Sequence, residues 1–228
     1  MKNLIIAIDG PAGSGKSTTA RLVARRLGFL YVDTGAMYRA VTLAVLRAHI
    51  DTRDEPGVAT IAKACDIRFF FEGDEQHVLS NGEDVTSQIR SPDVTRSVSA
   101  VSSYAAVRQK MVELQRKYAA EGSIVMDGRD IGTVVFPSAD VKVFLSASLA
   151  ERAMRRWNEL MKNGSALSLE EIEKQLAERD EMDSSRAISP LRKAADAVEL
   201  DTTDMTIEDQ VDAVIELVEG KETETGTE

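Results

Sequence analysis

The sequence has one cysteine, two histidines and one tryptophan in 228 residues, and no apolar run approaches the roughly 20 residues of a membrane span. Each shortage excludes something. Cys65 stands alone, so an internal disulfide is impossible and a reducing compartment, the cytoplasm, is expected. Its Ile- and Ala-rich surroundings make it a small buried residue. His49 and His77 belong to no motif, so a histidine metal site or phosphohistidine chemistry is not expected. One lysine followed by an apolar run does not make a signal peptide. Positive charge is scarce too: 28 Lys and Arg face 38 Asp and Glu, a net of −10. Ten of those acids and a single base, Lys221, fall in residues 201–228, so the rest of the chain is nearly neutral. No broad basic face exists to bind nucleic acid. Neither a nucleic acid nor a membrane is an expected partner, and nothing demands more than a monomer.

The chain is nevertheless 43% hydrophobic, enough for a substantial core. Strand-like runs occur at 4–8, 29–32, 123–127, 141–145 and 197–200, with helical patterns between them. That alternation predicts an α/β fold with a parallel sheet covered by helices. The last helix repeats Ile207, Val211, Val214, Ile215 and Val218 on one face, with Thr206 as N-cap and Asp209 three residues on. Gly220 is read as its end, and the acidic segment 221–228 as a disordered tail. Two regions interrupt the alternation. Residues 66–86 are short β-rich runs separated by Gly73 and by Asn81-Gly82, which predicts a small antiparallel insert. Residues 149–186 are helical and arginine-rich, with Arg152, Arg155 and Arg156 placed on one face. Ser168 and Glu171 make a capping box there, and breaks near Gly164, Ser184-Ser185 and Pro190 suit a hinged lid.

The chemistry starts at Gly10-Pro11-Ala12-Gly13-Ser14-Gly15-Lys16-Ser17-Thr18, a G-x-x-x-x-G-K-S pattern between the first strand and a helix over about 16–27. Glycines let several backbone N–H groups point at one anion, and the helix adds its positive end. Lys16, read as facing solvent, reaches the β- and γ-phosphates, and the Ser17 hydroxyl can ligate Mg²⁺. The order strand, glycine-rich turn and helix predicts a nucleoside triphosphate site. It does not separate motor, switch, pump and kinase.

Three further segments carry candidates. Asp33–Arg39, DTGAMYR, is either a pocket for a second phosphate-bearing substrate or a well-capped helix with Tyr38 and Arg39 on its surface. Ile124–Thr133, IVMDGRDIGT, puts Asp127, Arg129 and Asp130 just past a buried strand, at the edge where the triphosphate would lie; a turn with an internal ion pair is the other reading. Ala177–Pro190 places Arg179 and Asp183 at i, i+4 and Asp183 and Arg186 at i, i+3, a pattern shared by solvated helix faces.

Together IDGPAGSGKST, DTGAMYR, DGRDIGTVVFPSADVK and RDEMDSSRAISPL resemble the nucleoside monophosphate kinases, P-loop kinases, and among them the bacterial cytidylate kinases. The resemblance spans nearly the whole chain, and its specificity lies in the joint presence of DGRD and RD…D…R. Thr34 stands where serine is also seen and Ser17 where glycine can occur; both substitutions keep or add a hydroxyl. The resemblance implies a single kinase domain over 1–220. Its core would be about 1–40, 104–148 and 195–220, its monophosphate-binding region about 41–103, and its lid about 149–186. It implies ATP as donor, CMP and dCMP as acceptors, Mg²⁺ as cofactor, and Lys16, Arg129, Arg152 and Arg156 as catalytic cations. Thr34, Tyr38 and Arg39 would line the monophosphate pocket, and Ser99, Arg108 and Asp130 would face the cytosine. Arg179 and Asp183 would meet the ribose, and Arg186 a phosphate. A kinase for UMP or AMP, a GTP-dependent switch and a partner-coupled ATPase are the rivals; the N-K-x-D stretch that reads guanine is absent.

Overall fold

The five strand-like runs join one sheet in the computed structural model, which describes residues 3–72, 75–162 and 166–225. The chain divides into two compact units, residues 1–31 with 119–228 and residues 32–118. Elements are numbered in chain order across both.

The first unit holds β1 (Ile5–Asp9), α1 (Lys16–Leu27), the first half of β2 (Leu30–Asp33), β6 (Ile124–Gly128), β7 (Val141–Ser146), α6 (Leu149–Lys162), α7 (Leu169–Ser185), β8 (Val198–Asp201) and α8 (Ile207–Thr225). The sheet order is β2–β6–β1–β7–β8. β1 runs parallel to β6, with Asp9 opposite Gly128, and parallel to β7; β7 runs parallel to β8. This register brings Asp9 and the segment after Gly128 to one edge. Ile6, Ile8, Val125, Val143 and Leu145 are buried with Ala20, Val23 and Ala24 of α1 and Val211, Val214, Ile215 and Val218 of α8. Each Val, Leu or Ile among them contributes about 1.5–3 kcal/mol on burial. A second small core joins Ala153 of α6 and Ile172 and Leu176 of α7 to Ala12 of the glycine-rich loop.

α7 starts as its sequence requires. Ser168 Oγ accepts from the Glu171 N–H, and Glu171 accepts from the Ser168 N–H at 2.8 Å. The break expected at Ser184-Ser185 is the end of α7. α8 departs from expectation: it continues through Gly220 to Thr225, so 221–225 are helical and not a disordered tail. Extending a formed helix needs only one residue fixed per added bond, and one glycine costs about 1 kcal/mol without stopping it. Residues 226–228, Gly73 and Gly164 lie outside the described residues.

The second unit contains α2 (Thr34–Arg47), α3 (Glu55–Ala64), an antiparallel sheet of β3 (Ile67–Glu72), β4 (Glu75–Ser80) and β5 (Glu83–Asp84), then α4 (Pro92–Ser103) and α5 (Ala105–Tyr118). Asn81 and Gly82 both take positive φ, 51° and 84°, which makes the two-residue β4–β5 hairpin expected from the Asn-Gly pair. Asn81 Oδ1 also accepts from the Asp66 N–H at 2.9 Å.

Candidate active site

The first unit carries the phosphate-type loop. Gly10 leaves β1 at φ 156°, and a Cβ there would stand 2.2 Å from the Leu145 carbonyl oxygen. Gly13, at φ 78°, is covered by α6; its Cβ would meet Arg152 Cβ at 3.1 Å and Arg152 O at 3.2 Å. Only glycine lets the loop curl at these points and still touch its neighbours. Lys16 corrects the sequence reading. Its side chain does not stand in solvent: the residue is 7% exposed, and Nζ donates to the Pro11 carbonyl at 3.0 Å. The amine therefore lies across the loop.

At the start of α1 the Ser17 hydroxyl donates to Asp127 Oδ2 at 2.6 Å, and the Tyr31 hydroxyl donates to Asp127 Oδ1 at 2.9 Å. Asp127 is buried at the end of β6. A hydroxyl and a carboxylate in contact beside a phosphate loop are hard oxygen donors, the set a Mg²⁺ ion takes.

Beyond β6 the chain closes a single π turn, Ile131–Val135, in which the Phe136 N–H donates to Ile131 O at 2.7 Å. The turn hangs on Asp9. Both Asp9 oxygens accept backbone N–H bonds at 2.8 Å, from Ile131 and Gly132. Burial pushes the Asp9 carboxyl up to about 7, against the pull of the Gly132 and Ile131 donors. The Val134 and Val135 N–H groups donate to the carbonyl of the buried Asp130 at 2.9 and 3.2 Å, which ties Asp130 to the turn. Arg129 Nε donates to Asp183 Oδ2 at 2.8 Å, and Arg186 Nη1 lies 3.7 Å from Asp183 Oδ1. Burial opposes ionisation of Asp183, yet Arg129, Arg179 and Arg186 together hold its carboxyl below its ordinary value. The structure thus gathers Arg129, Arg179, Asp183 and Arg186 into one cluster, not a solvated stripe on α7.

The three arginines of α6 separate. Arg152 Nη1 donates to Ala12 O of the loop at 3.1 Å. Arg155 donates through Nη1 to Thr202 Oγ1 at 3.1 Å and through Nε to Glu151 at 2.9 Å. Arg156 pairs with Glu159 at 2.7 Å, with a third of its side chain exposed. Sequence reasoning missed the support under the loop. Thr202 donates to Ser14 O at 3.1 Å, and Thr19 donates to Gln210 Oε1 at 2.8 Å. No local pattern marks Thr202 or Gln210; a polar residue fully buried beside the loop is the only signal, and it is structural.

In the second unit Asp33 caps α2 by accepting from the Ala36 N–H at 2.9 Å, and lies 4.0 Å from Arg39 Nη2. Thr34 and Tyr38 are buried, and Arg39 Nε is buried with no hydrogen-bond partner among the described residues. The surface placement considered for Tyr38 does not hold. Arg108, 3% exposed, lies with its guanidinium carbon 5.2 Å from the Tyr38 ring centroid and donates to Ser102 O at 3.1 Å. Ser99, half-buried on α4, accepts through its carbonyl from the Ser102 hydroxyl. A buried Arg108 against the Tyr38 ring and a half-buried Arg39 beside Asp33 suit an anionic ligand with a polar edge.

Comparison with known proteins agrees with this chemistry. Residues 6–220 match the family model described as cytidylate kinase. A cytidylate kinase of Desulfitobacterium hafniense (strain Y51) is 52% identical over 225 residues, covering 99% of this chain and 96% of that protein. One from Ligilactobacillus salivarius (strain UCC118) is 50% identical over 219 residues, 96% of this chain and 98% of that one. Among solved structures, a gluconokinase from Sinorhizobium meliloti 1021 superposes with TM-score 0.51 at 14% identity, covering 98% of this chain and 97% of that one; at that identity the likeness is one of fold. The chain belongs to the cytidylate kinase family.

Proposed function

We propose that the chain transfers the γ-phosphoryl group of ATP to CMP, and to dCMP, giving the diphosphate and ADP. Family membership over residues 6–220 supports the substrate, and the loop with Lys16, Ser17 and Asp127 supports the donor site. A nucleoside monophosphate has a second pKa of about 6, so near pH 7 it is largely dianionic and needs no general base. The task is to bring two anions into line and offset their repulsion. Lys16, Arg129, Arg152 and Arg156 supply positive charge to the donor and to the transferring group. Arg39 holds the acceptor phosphate with Thr34 and Tyr38, and Arg186 meets a phosphate as well. Arg179 and Asp183 hold the ribose. Ser17, with Asp127 behind it, would hold Mg²⁺, which when bound neutralises phosphate charge. Residues 149–186 act as the lid that excludes water from the γ-phosphate. The enzyme works as a monomer in the cytoplasm, in keeping with a chain that carries one buried thiol.

Cytosine is read by its edge. It offers an acceptor at N3 and an amino donor at N4, whereas uracil offers a donor and an acceptor there. A guanidinium only donates and an ionised carboxylate only accepts, so Arg108 toward N3 and Asp130 toward N4 match cytosine and mismatch uracil. A coupled assay of ADP release over CMP, dCMP, UMP, AMP and GMP tests the assignment. CMP and dCMP are expected to be the best acceptors. Lys16→Ala is expected to lose about 10²–10³-fold in turnover with little change in melting temperature. Stimulation by AMP or UMP above CMP contradicts the reading.

A further inference from the structure

Among the described residues, Arg152 is committed on two of its three nitrogens. Nε donates to Ala147 O at 3.0 Å; Nη1 donates to Ala12 O at 3.1 Å and to Asp180 Oδ2 at 2.5 Å. The side chain is 8% exposed, and its stem fills the space beside Gly13. Arg155–Glu151 and Arg156–Glu159 are ion pairs within α6, whereas Arg152–Asp180 ties α6 to α7 while the same guanidinium touches the phosphate loop. The other oxygen of Asp180, Oδ1, is buried and has no hydrogen-bond partner among the described residues. The carboxylate is therefore held for Arg152 and is not spread over several donors.

A guanidinium is planar, so fixing Nε and Nη1 fixes the direction of Nη2. Two carbonyls, one at Nε and one at Nη1, hold the plane weakly; a charge-assisted bond at short distance holds it firmly. We propose that Asp180 is a positioning residue that acts through Arg152, orienting its Nη2 amino group toward the phosphates of the donor nucleotide. The proposal rests on the reading of Arg152 as a catalytic cation. Asp180 touches no substrate. It offsets some of the arginine's charge and in exchange removes the arginine's rotational freedom, and the orientation dominates because the transferred group presents narrow directions for donors.

A double-mutant cycle tests it, with kcat and KM for ATP and CMP and thermal melts measured for wild type, Asp180→Asn, Arg152→Ala and the double variant. Asp180→Asn is expected to lower kcat about tenfold, with KM for CMP within about twofold and the enzyme fully folded at the assay temperature. Arg152→Ala is expected to cost about 100-fold, and adding Asp180→Asn to it nothing more. Asp180→Glu is expected to recover part of the loss, since it restores the charge. Wild-type kcat in Asp180→Asn beside a crippled Arg152→Ala overturns the role of Asp180 and leaves that of Arg152 standing. Wild-type kcat in Arg152→Ala removes both. An equal Asp180→Asn loss in both backgrounds, or a loss that tracks the unfolded fraction, overturns the positioning role as well.

Discussion

Asp9 joins stability to the site in one carboxyl group. In the unfolded chain it ionises near its ordinary value of 3.8; in the folded chain burial raises it to about 7. Between those values the folded protein keeps a proton that the unfolded chain has released. Stability therefore falls as pH rises from about 4 to about 7 and is flat above, by an amount on the order of a few kcal/mol. Asp9→Asn does not titrate, so the melting temperature of wild type relative to this variant should decline across that window and then hold constant. Parallel curves from pH 4 to 8 would show that Asp9 is ionised throughout. Asp130 makes a different prediction at the same scale. If it accepts from cytosine N4, Asp130→Asn should slow CMP more than UMP and narrow the kcat/KM ratio by about 10-fold or more. An unchanged ratio means that another group reads the base.

Among the elements, α6 and α7 are the ones expected to respond to substrate. They share a small core with Ala12, and Arg152 of α6 donates to the Ala12 carbonyl of the loop, so binding of a bisubstrate analogue should slow amide exchange in α6 and α7 more than in β1. Equal exchange in free and bound protein would remove the lid from the account. These elements were legible because their signals are local: the Ser168–Glu171 box, the Asn81-Gly82 hairpin and the phosphate loop each specify structure within eight residues. What the sequence hid was long-range. Asp9 reads as the end of a strand, yet it accepts from N–H groups 122 and 123 residues away. Thr202 and Ser14 meet across 188 residues, which no periodicity encodes. Shared helical spacing misled for Arg152, Arg155 and Arg156, since a 100° step between neighbours sends Arg155 to Thr202 and Arg156 to Glu159. The end of α8 was misplaced because an exposed glycine weakens a helix without ending it.

For the whole molecule, the two compact units each hold their own cluster of charged and polar side chains. The first carries the loop, the Ser17–Asp127 contact and the Arg129–Asp183–Arg186 cluster; the second carries Arg39, Tyr38 and Arg108. No helix among the described residues is long and apolar enough to cross a membrane. A chain with a phosphate-type loop in one unit and a buried Arg108 and half-buried Arg39 in the other suits transfer between two anions, whereas a switch or a simple ATPase would need only the loop. The most direct measurement follows the group itself. The protein is incubated with ATP labelled at the γ-phosphorus and an equal mixture of CMP and UMP, and the label is traced among the products. The account predicts label in CDP, with little in UDP or inorganic phosphate. Label mainly in inorganic phosphate, or mainly in UDP, would contradict it.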